Sequence, residues 1–213
     1  MMNLAVFVGP RGRGSNLFSL YEATREGRLS ANIVLVVGTR ADAPALIRAQ
    51  EAGLRTLVVP PKEEEAAYGE RLQSVLREAD VDTIALAGFL RRLPSTVVER
   101  YRHRILNVHP ALLPAFGGQG MYGEHVHRAV LAHGAKVSGC TVHFVDETYD
   151  TGPIILQRCV PVAEGDTPET LAARILPEEH RAFAEALQLL AEERLRVEGR
   201  VVRVQERASP DRD

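Results

Sequence analysis

Asn107 and His109 stand at i and i+2 in Asn107-Val108-His109-Pro110-Ala111-Leu112-Leu113-Pro114, and Asp150 follows in Asp146-Glu147-Thr148-Tyr149-Asp150-Thr151-Gly152-Pro153. An amide, an imidazole and a carboxylate are groups that can stabilise a developing oxyanion and move a proton beside it. The segment Arg104 to Val108 reads as a strand, in which side chains two apart leave on the same face. Pro110 ends that strand and leaves both polar groups at its end, where functional groups of open α/β sheets gather. His109 is suited to donating to a carbonyl oxygen or relaying a proton, or else to a structural place in the core. Asn107 either donates to an oxyanion or satisfies a strand end, and Asp150 either holds His109 or is a turn aspartate before Thr151-Gly152-Pro153.

A second feature is the turn Gly9-Pro10-Arg11-Gly12-Arg13-Gly14-Ser15-Asn16, between a first strand and a first helix. Its glycines allow close approach to an anion, and the N–H groups and dipole of a helix start favour phosphate. A Walker loop requires Lys where Ser15 stands, and a dinucleotide fingerprint requires a third Gly near Leu17, so a monophosphate fits better than a nucleoside triphosphate or NAD. The alternative is a plain tight turn capped by Ser15. His125 and His127 lie two apart in a predicted helix and share no face, which argues against a zinc pair. His143 either lines a pocket or is packed. Cys140 and His143, three apart in a strand, point to opposite faces and make no nucleophile pair. Glu178, Glu179 and His180 after Pro177 either reach a substrate amine or hydroxyls or form a solvated helix face.

These residues need a scaffold, and the chain supplies an alternating one. Strand patterns at Leu4 to Val8, Ile33 to Val37, Thr56 to Val59, Thr83 to Ala87 and Arg104 to Val108 alternate with helical patterns. The helices are predicted at about Ser15 to Glu26, Pro44 to Ala52, Glu63 to Glu78 and Pro94 to Tyr101, giving βαβ units and a mostly parallel sheet. After the Gly-rich stretch 116–120 comes a helix at about Tyr122 to Ala132. Lys136 to Val145 and Ile154 to Val162 then read as an antiparallel pair joined by the 146–153 loop. A helix starting at Thr167-Pro168-Glu169 is expected to reach about Arg194, with a kink or break at Pro177, and Gly199 to Val204 to add an edge strand.

With 213 residues and 45% hydrophobic composition, the chain is large enough for one full core. The expectation is a single domain over residues 1–206, its phosphate-binding half at about 1–102 and its catalytic half at about 103–206, with 207–213 a disordered tail. A net charge of -2 without a Lys/Arg block argues against a nucleic-acid partner. Met2 to Val8 is too short for a signal segment, and no apolar run approaches about 18 residues, so a cytoplasmic protein without a membrane partner is expected. Cys140 and Cys159 lack metal-ligand spacing, and no metal is expected.

Taken together, Gly14-Ser15-Asn16-Leu17, Ala87-Gly88-Phe89-Leu90-Arg91, the Asn107 to Pro114 run, Val142-His143-Phe144-Val145-Asp146-Glu147, Asp150 to Gln157 and Glu179-His180 resemble the phosphoribosylglycinamide formyltransferase family, in order from about residue 4 to 195. The resemblance implies a Rossmann-like formyltransferase fold, mostly parallel with a C-terminal antiparallel portion and helices on both faces. It implies formyl transfer from 10-formyltetrahydrofolate, as co-substrate, to the amine of 5-phosphoribosylglycinamide in purine biosynthesis, by a monomer or homodimer. On matching positions, Asn107 and His109 would stabilise the oxyanion, His109 would act as general acid, and Asp150 would raise the histidine pKa. Gly14, Ser15 and Asn16 would hold phosphate, with Glu178 and Glu179 on the amine or ribose side. Leu90, Arg91, Arg92 and Leu93, with Asn107, Asp146, Glu147 and Asp150, would surround the folate. Arg11 and Arg13 lengthen the first loop, and Glu65 stands where some members carry an arginine that reaches the folate. The same residues would serve a formyltetrahydrofolate deformylase or another formyltransferase, and the α/β pattern alone would suit a non-catalytic phosphate-binding module.

Overall fold

Each early strand is apolar on consecutive residues because both of its faces are covered. A computed structural model of the chain describes residues 1–60 and 64–206. In β1 (Met2–Val8), Leu4, Val6 and Val8 enter one core and Ala5 and Phe7 the other. That is the signature of a parallel sheet with helices on both sides. The further elements are α1 (Ser15–Arg25), β2 (Ala31–Gly38), α2 (Pro44–Glu51), β3 (Thr56–Val58), α3 (Glu65–Glu78), β4 (Thr83–Ala87), α4 (Ser95–Arg100) and β5 (Ile105–His109). They are followed by α5 (Glu124–Ala132), β6 (Val137–Phe144), β7 (Ile154–Pro161), α6 (Pro168–Ala191), β8 (Leu195–Glu198) and β9 (Val201–Val204). The expected helix start at Glu63 and the expected disordered tail lie outside the described residues.

The strands form one sheet in the order β3-β2-β1-β4-β5-β6-β7-β9-β8. Pairing is parallel from β3 through β5 and antiparallel from β5 to β6 and from β6 to β7. β6 ends opposite Leu106, near the start of β5, and the 146–153 loop folds back far enough for Asp150 to approach His109. Among the described residues, no helix is long and apolar enough to cross a membrane.

Three expectations for the C-terminal part are corrected: the break at Pro177, the helix end at Arg194 and the edge position of the last strand. Pro177 neither breaks nor ends α6, which runs unbroken from Pro168 to Ala191. Pro177 sits on the exposed face, while Leu171 and Ile175 before it and Ala182, Phe183, Ala186 and Leu187 after it are buried in one core. Burying a large apolar side chain contributes about 1.5–3 kcal/mol, so these contacts together exceed the roughly 3 kcal/mol cost of an interior proline. The helix begins in a capping box, with Thr167 and Thr170 each bonded to the other's backbone N–H. It also stops short of Arg194, because Leu195 to Glu198 forms β8 as an antiparallel hairpin with β9. The expected edge strand is thus β9, and it lies one place inside the edge, pairing parallel with β7.

The loop between β6 and β7 closes tightly. A Cβ on Gly152 would lie 1.8 Å from the Phe144 carbonyl oxygen, and the Phe144 N–H donates to the Pro153 carbonyl at 2.9 Å. Gly152→Ala is expected to lower stability by about 3 kcal/mol, read as a shift of the urea midpoint; an unchanged midpoint would show that the loop can yield.

Candidate active site

β5 ends at His109, and Asn107 and His109 both line a cleft of about 660 Å³ at that end of the sheet. Antiparallel pairing sets His143 on β6 directly across from Asn107, and cross-strand partners of this kind are side-chain neighbours. The His143 Nδ1 donates to the Phe144 carbonyl at 2.8 Å, so its Nε2 accepts from the Asn107 amide nitrogen at 3.1 Å. The Asn107 amide is thereby turned with its NH2 toward His143, keeping a second N–H for a ligand.

His109 is oriented in the same way. Its Nε2 lies 2.8 Å from the Phe116 carbonyl, which can only accept, so Nε2 carries the proton. Nδ1 then faces the Asp150 Oδ2 at 3.6 Å, while the Asp150 Oδ1 lies 3.6 Å from the His143 Nε2. Asp150 adopts a left-handed backbone, φ 58°, a conformation that aspartate tolerates better than most residues. The Gly118 N–H donates to its Oδ2 at 2.9 Å. Asp146 holds the loop internally, accepting from the Thr148 N–H at 3.0 Å and the Thr151 hydroxyl at 2.7 Å.

The chain leaving His109 is pinned from beneath by Thr141, which is fully buried. Its hydroxyl donates to the Ala111 carbonyl at 2.7 Å and accepts from the Leu113 N–H and the Gln157 amide, both at 3.0 Å. A buried hydroxyl satisfied as donor and acceptor makes a rigid peg. The sequence alone gave Thr141 no role, because its importance depends on the β5–β6 register.

Burial dominates the electrostatics of His109. It pushes the imidazole below its ordinary value more than Asp150 and the Phe116 carbonyl raise it, and His143 adds to the lowering. Asp150 thus acts on His109 in the expected direction, but burial outweighs it and the net shift is a fall. For Asp150 the balance is opposite: burial pushes its carboxyl up, but His143, His109 and the Gly118 N–H together bring it below the usual carboxylate range. The site at rest is a carboxylate facing a histidine that favours its neutral form.

The other expected site residues are placed as follows. Asn16 and Glu179 meet across the fold, the Asn16 Nδ2 donating to the Glu179 Oε2 at 2.9 Å, and both line the cleft. Burial raises the Glu179 carboxyl, partly offset by that bond, and the Asn16 Oδ1 is buried without a partner among the described residues. Glu178 departs from expectation: it is absent from the cleft lining and pairs with Arg181 at 2.7 Å. Adjacent helix residues point about 100° apart, so only one of the two glutamates can face inward. Gly14 begins α1 with φ 77°, and no side chain caps that helix. Neither Gly14 nor the exposed Ser15 is in the lining.

Leu90, Arg91 and Arg92 line the cleft with Asp146 and Glu147, whereas Leu93 departs from expectation and is buried in the second core. The Arg91 guanidinium lies 3.8 Å from the Tyr68 ring centroid. Arg11, Arg13 and Glu65 are exposed. His127 is buried and lines the cleft while His125 is exposed against Tyr122, so the two do diverge. Burial pushes the Cys140 thiol up to about 12, which removes it as a nucleophile near neutral pH.

This doubly wound sheet, with amide, imidazole and carboxylate gathered where β5 ends, is that of a formyl transferase, the family that residues 2–187 match. The chain is 44% identical over 212 residues to the chloroplastic phosphoribosylglycinamide formyltransferase of Arabidopsis thaliana, covering 98% of this chain and 72% of that one. It is also 44% identical over 182 residues to the trifunctional purine biosynthetic protein adenosine-3 of Bos taurus, covering 84% of this chain but 18% of that protein. The crystal structure of glycinamide ribonucleotide transformylase 1 from Symbiobacterium toebii superposes with a TM-score of 0.90 at 44% identity, covering 97% of this chain and 95% of that one. The chain belongs to the phosphoribosylglycinamide formyltransferase family.

Proposed function

We propose that the protein transfers a formyl group from 10-formyltetrahydrofolate to the amine of 5-phosphoribosylglycinamide, a step of purine biosynthesis. The observation that carries this reading is the Asn107, His109 and Asp150 constellation opening into the same cleft as the Asn16–Glu179 pair. The formyl folate supplies an acyl carbon with a nitrogen leaving group. The cleft suits such a donor: Leu86, Phe89, Leu90 and Val145 offer apolar walls for a flat ring, and Arg91 and Arg92 offer cations for carboxylates. On the other side, the uncapped N-terminus of α1 at Gly14, Ser15 and Asn16 suits a phosphate. The unpartnered Asn16 Oδ1 and the Glu179 carboxyl suit the N–H and O–H donors of an amino ribonucleotide.

Asn107 donates its second amide N–H to the formyl oxygen as negative charge develops there. His109 begins neutral and takes the proton released by the attacking amine at Nδ1, since Nε2 is already committed to Phe116. The new imidazolium faces Asp150, whose negative charge favours it. As the bond from the formyl carbon to folate nitrogen breaks, His109 returns the proton to that nitrogen. Bond made, bond broken and proton moved then balance, and His109 ends neutral.

Ribonucleotide-dependent formation of tetrahydrofolate, followed by absorbance, is the direct test. His109→Ala is expected to lower kcat about 100- to 10,000-fold with the fold retained. Formyl release without the ribonucleotide would instead support a hydrolase. The pH dependence follows from the neutral starting state of His109. Because burial lowers its pKa, kcat/KM falls on the acid side at a pH below an ordinary histidine's. Asp150 raises that pKa, so Asp150→Asn moves the acid limb to still lower pH while the plateau falls about tenfold or more. An unmoved limb would contradict carboxylate tuning.

A further inference from the structure

The β8–β9 hairpin lies beyond residue 187, where the family match ends, yet its tip reaches the loop that carries Asp150. We propose that Arg200 is a positioning residue, which grips the Thr151 carbonyl and thereby fixes the backbone that sets the Asp150 carboxylate against His109. The kinetic part of this proposal rests on the formyl-transfer reading above.

Three features converge on Arg200. Its Nη2 donates to the Thr151 carbonyl at 2.8 Å, across 49 residues of chain. Val201, the next residue, is the point at which β9 pairs with Ile154 of β7, so the hairpin tip is registered against the end of the 146–153 loop. Among the described residues Arg200 makes no ion pair, whereas its neighbours Arg196 and Arg203 both pair with Glu198. Its charge is therefore directed at the carbonyl, and a guanidinium bond to a carbonyl is stronger than a neutral one.

The target is the place where this loop needs outside support. The Asp146 carboxylate clasps Thr148 and the Thr151 hydroxyl from within, while the Thr151 carbonyl is held from outside by Arg200. Asp150, immediately before it, has the left-handed φ of 58°, which a non-glycine residue keeps only where its surroundings hold it. Releasing the following peptide allows Asp150 to relax toward ordinary backbone angles and carries its carboxylate away from His109. Small misplacements of a group in the site have large effects on rate.

The test compares Arg200→Met, which removes the donors but keeps most of the aliphatic stem, with Arg200→Lys and with Arg203→Ala as a hairpin control. Each is measured in the wild-type and Asp150→Asn backgrounds for kcat and for KM of the ribonucleotide, with amide exchange across residues 146–153. Arg200→Met is expected to lower kcat about tenfold, to leave KM within about twofold and to speed exchange in that loop. Arg200→Lys should restore most of the rate, and Arg203→Ala should change none of these. In the Asp150→Asn background the Arg200→Met effect should shrink to about twofold or less, as expected of residues acting through one another. An unchanged kcat in Arg200→Met, or an equal fold-loss with and without Asp150, would overturn the proposal. If Arg200→Met does not fold, Arg200→Lys decides it: wild-type kcat and loop exchange support it, and wild-type exchange with lost kcat overturns it. Absence of ribonucleotide-dependent turnover in the wild type would refute the formyl-transfer reading, and loop exchange would still decide whether Arg200 holds the loop.

Discussion

A carboxylate taken out of water between two imidazoles is the interaction on which the rest of this structure depends. Removing an ionised carboxylate from solvent costs several kcal/mol unless neighbouring groups compensate. Here the Gly118 N–H donates to it, and each imidazole favours it once protonated, so that Asp150 stays more acidic than usual despite its burial. The local architecture serves that compensation. Gly152 lets the loop pass against the Phe144 carbonyl, Asp146 ties the loop to itself, and Asp150 turns inward through a left-handed backbone.

The sheet explains why these groups meet. Where pairing changes from parallel to antiparallel between β5 and β6, the polar end of β5 lies beside polar residues of β6, so Asn107 faces His143 and His109 faces Thr141. One pair orients the oxyanion donor, and the other pegs the chain that follows the histidine. The first strand of the sheet leads into α1, whose Asn16 meets Glu179 from α6 on the far wall of the cleft. One continuous core under α1, α6 and β6 keeps the two walls in register.

Much of this was legible in the sequence, for local reasons. Period-two spacing and Pro110 placed Asn107 and His109 at a strand end, and the alternation of strand and helix patterns gave the doubly wound sheet. What was not legible was nonlocal. His143 and Thr141 gain their roles from a cross-strand register that no short motif encodes. Pro177 looked disruptive because its exposed position and the packing on either side of it cannot be read from the chain. Glu178 and Glu179 were indistinguishable until α6 showed which one faces inward, and Leu93 was separable from its neighbours only by its burial in the second core. The net direction of the His109 pKa was not legible for a related reason. A charge partner is visible in a motif, whereas the depth of burial that opposes it is not.

The central claim is that burial outweighs the carboxylate, so that His109 rests neutral with its proton on Nε2 and Nδ1 open to receive another. Nitrogen-detected NMR of the ring, titrated with pH in the ligand-free protein and assigned with His109→Ala, tests this directly. The account predicts the Nε2–H tautomer at neutral pH and a midpoint below the ordinary histidine value. A midpoint above that value, or a proton resident on Nδ1 at neutral pH, would contradict it.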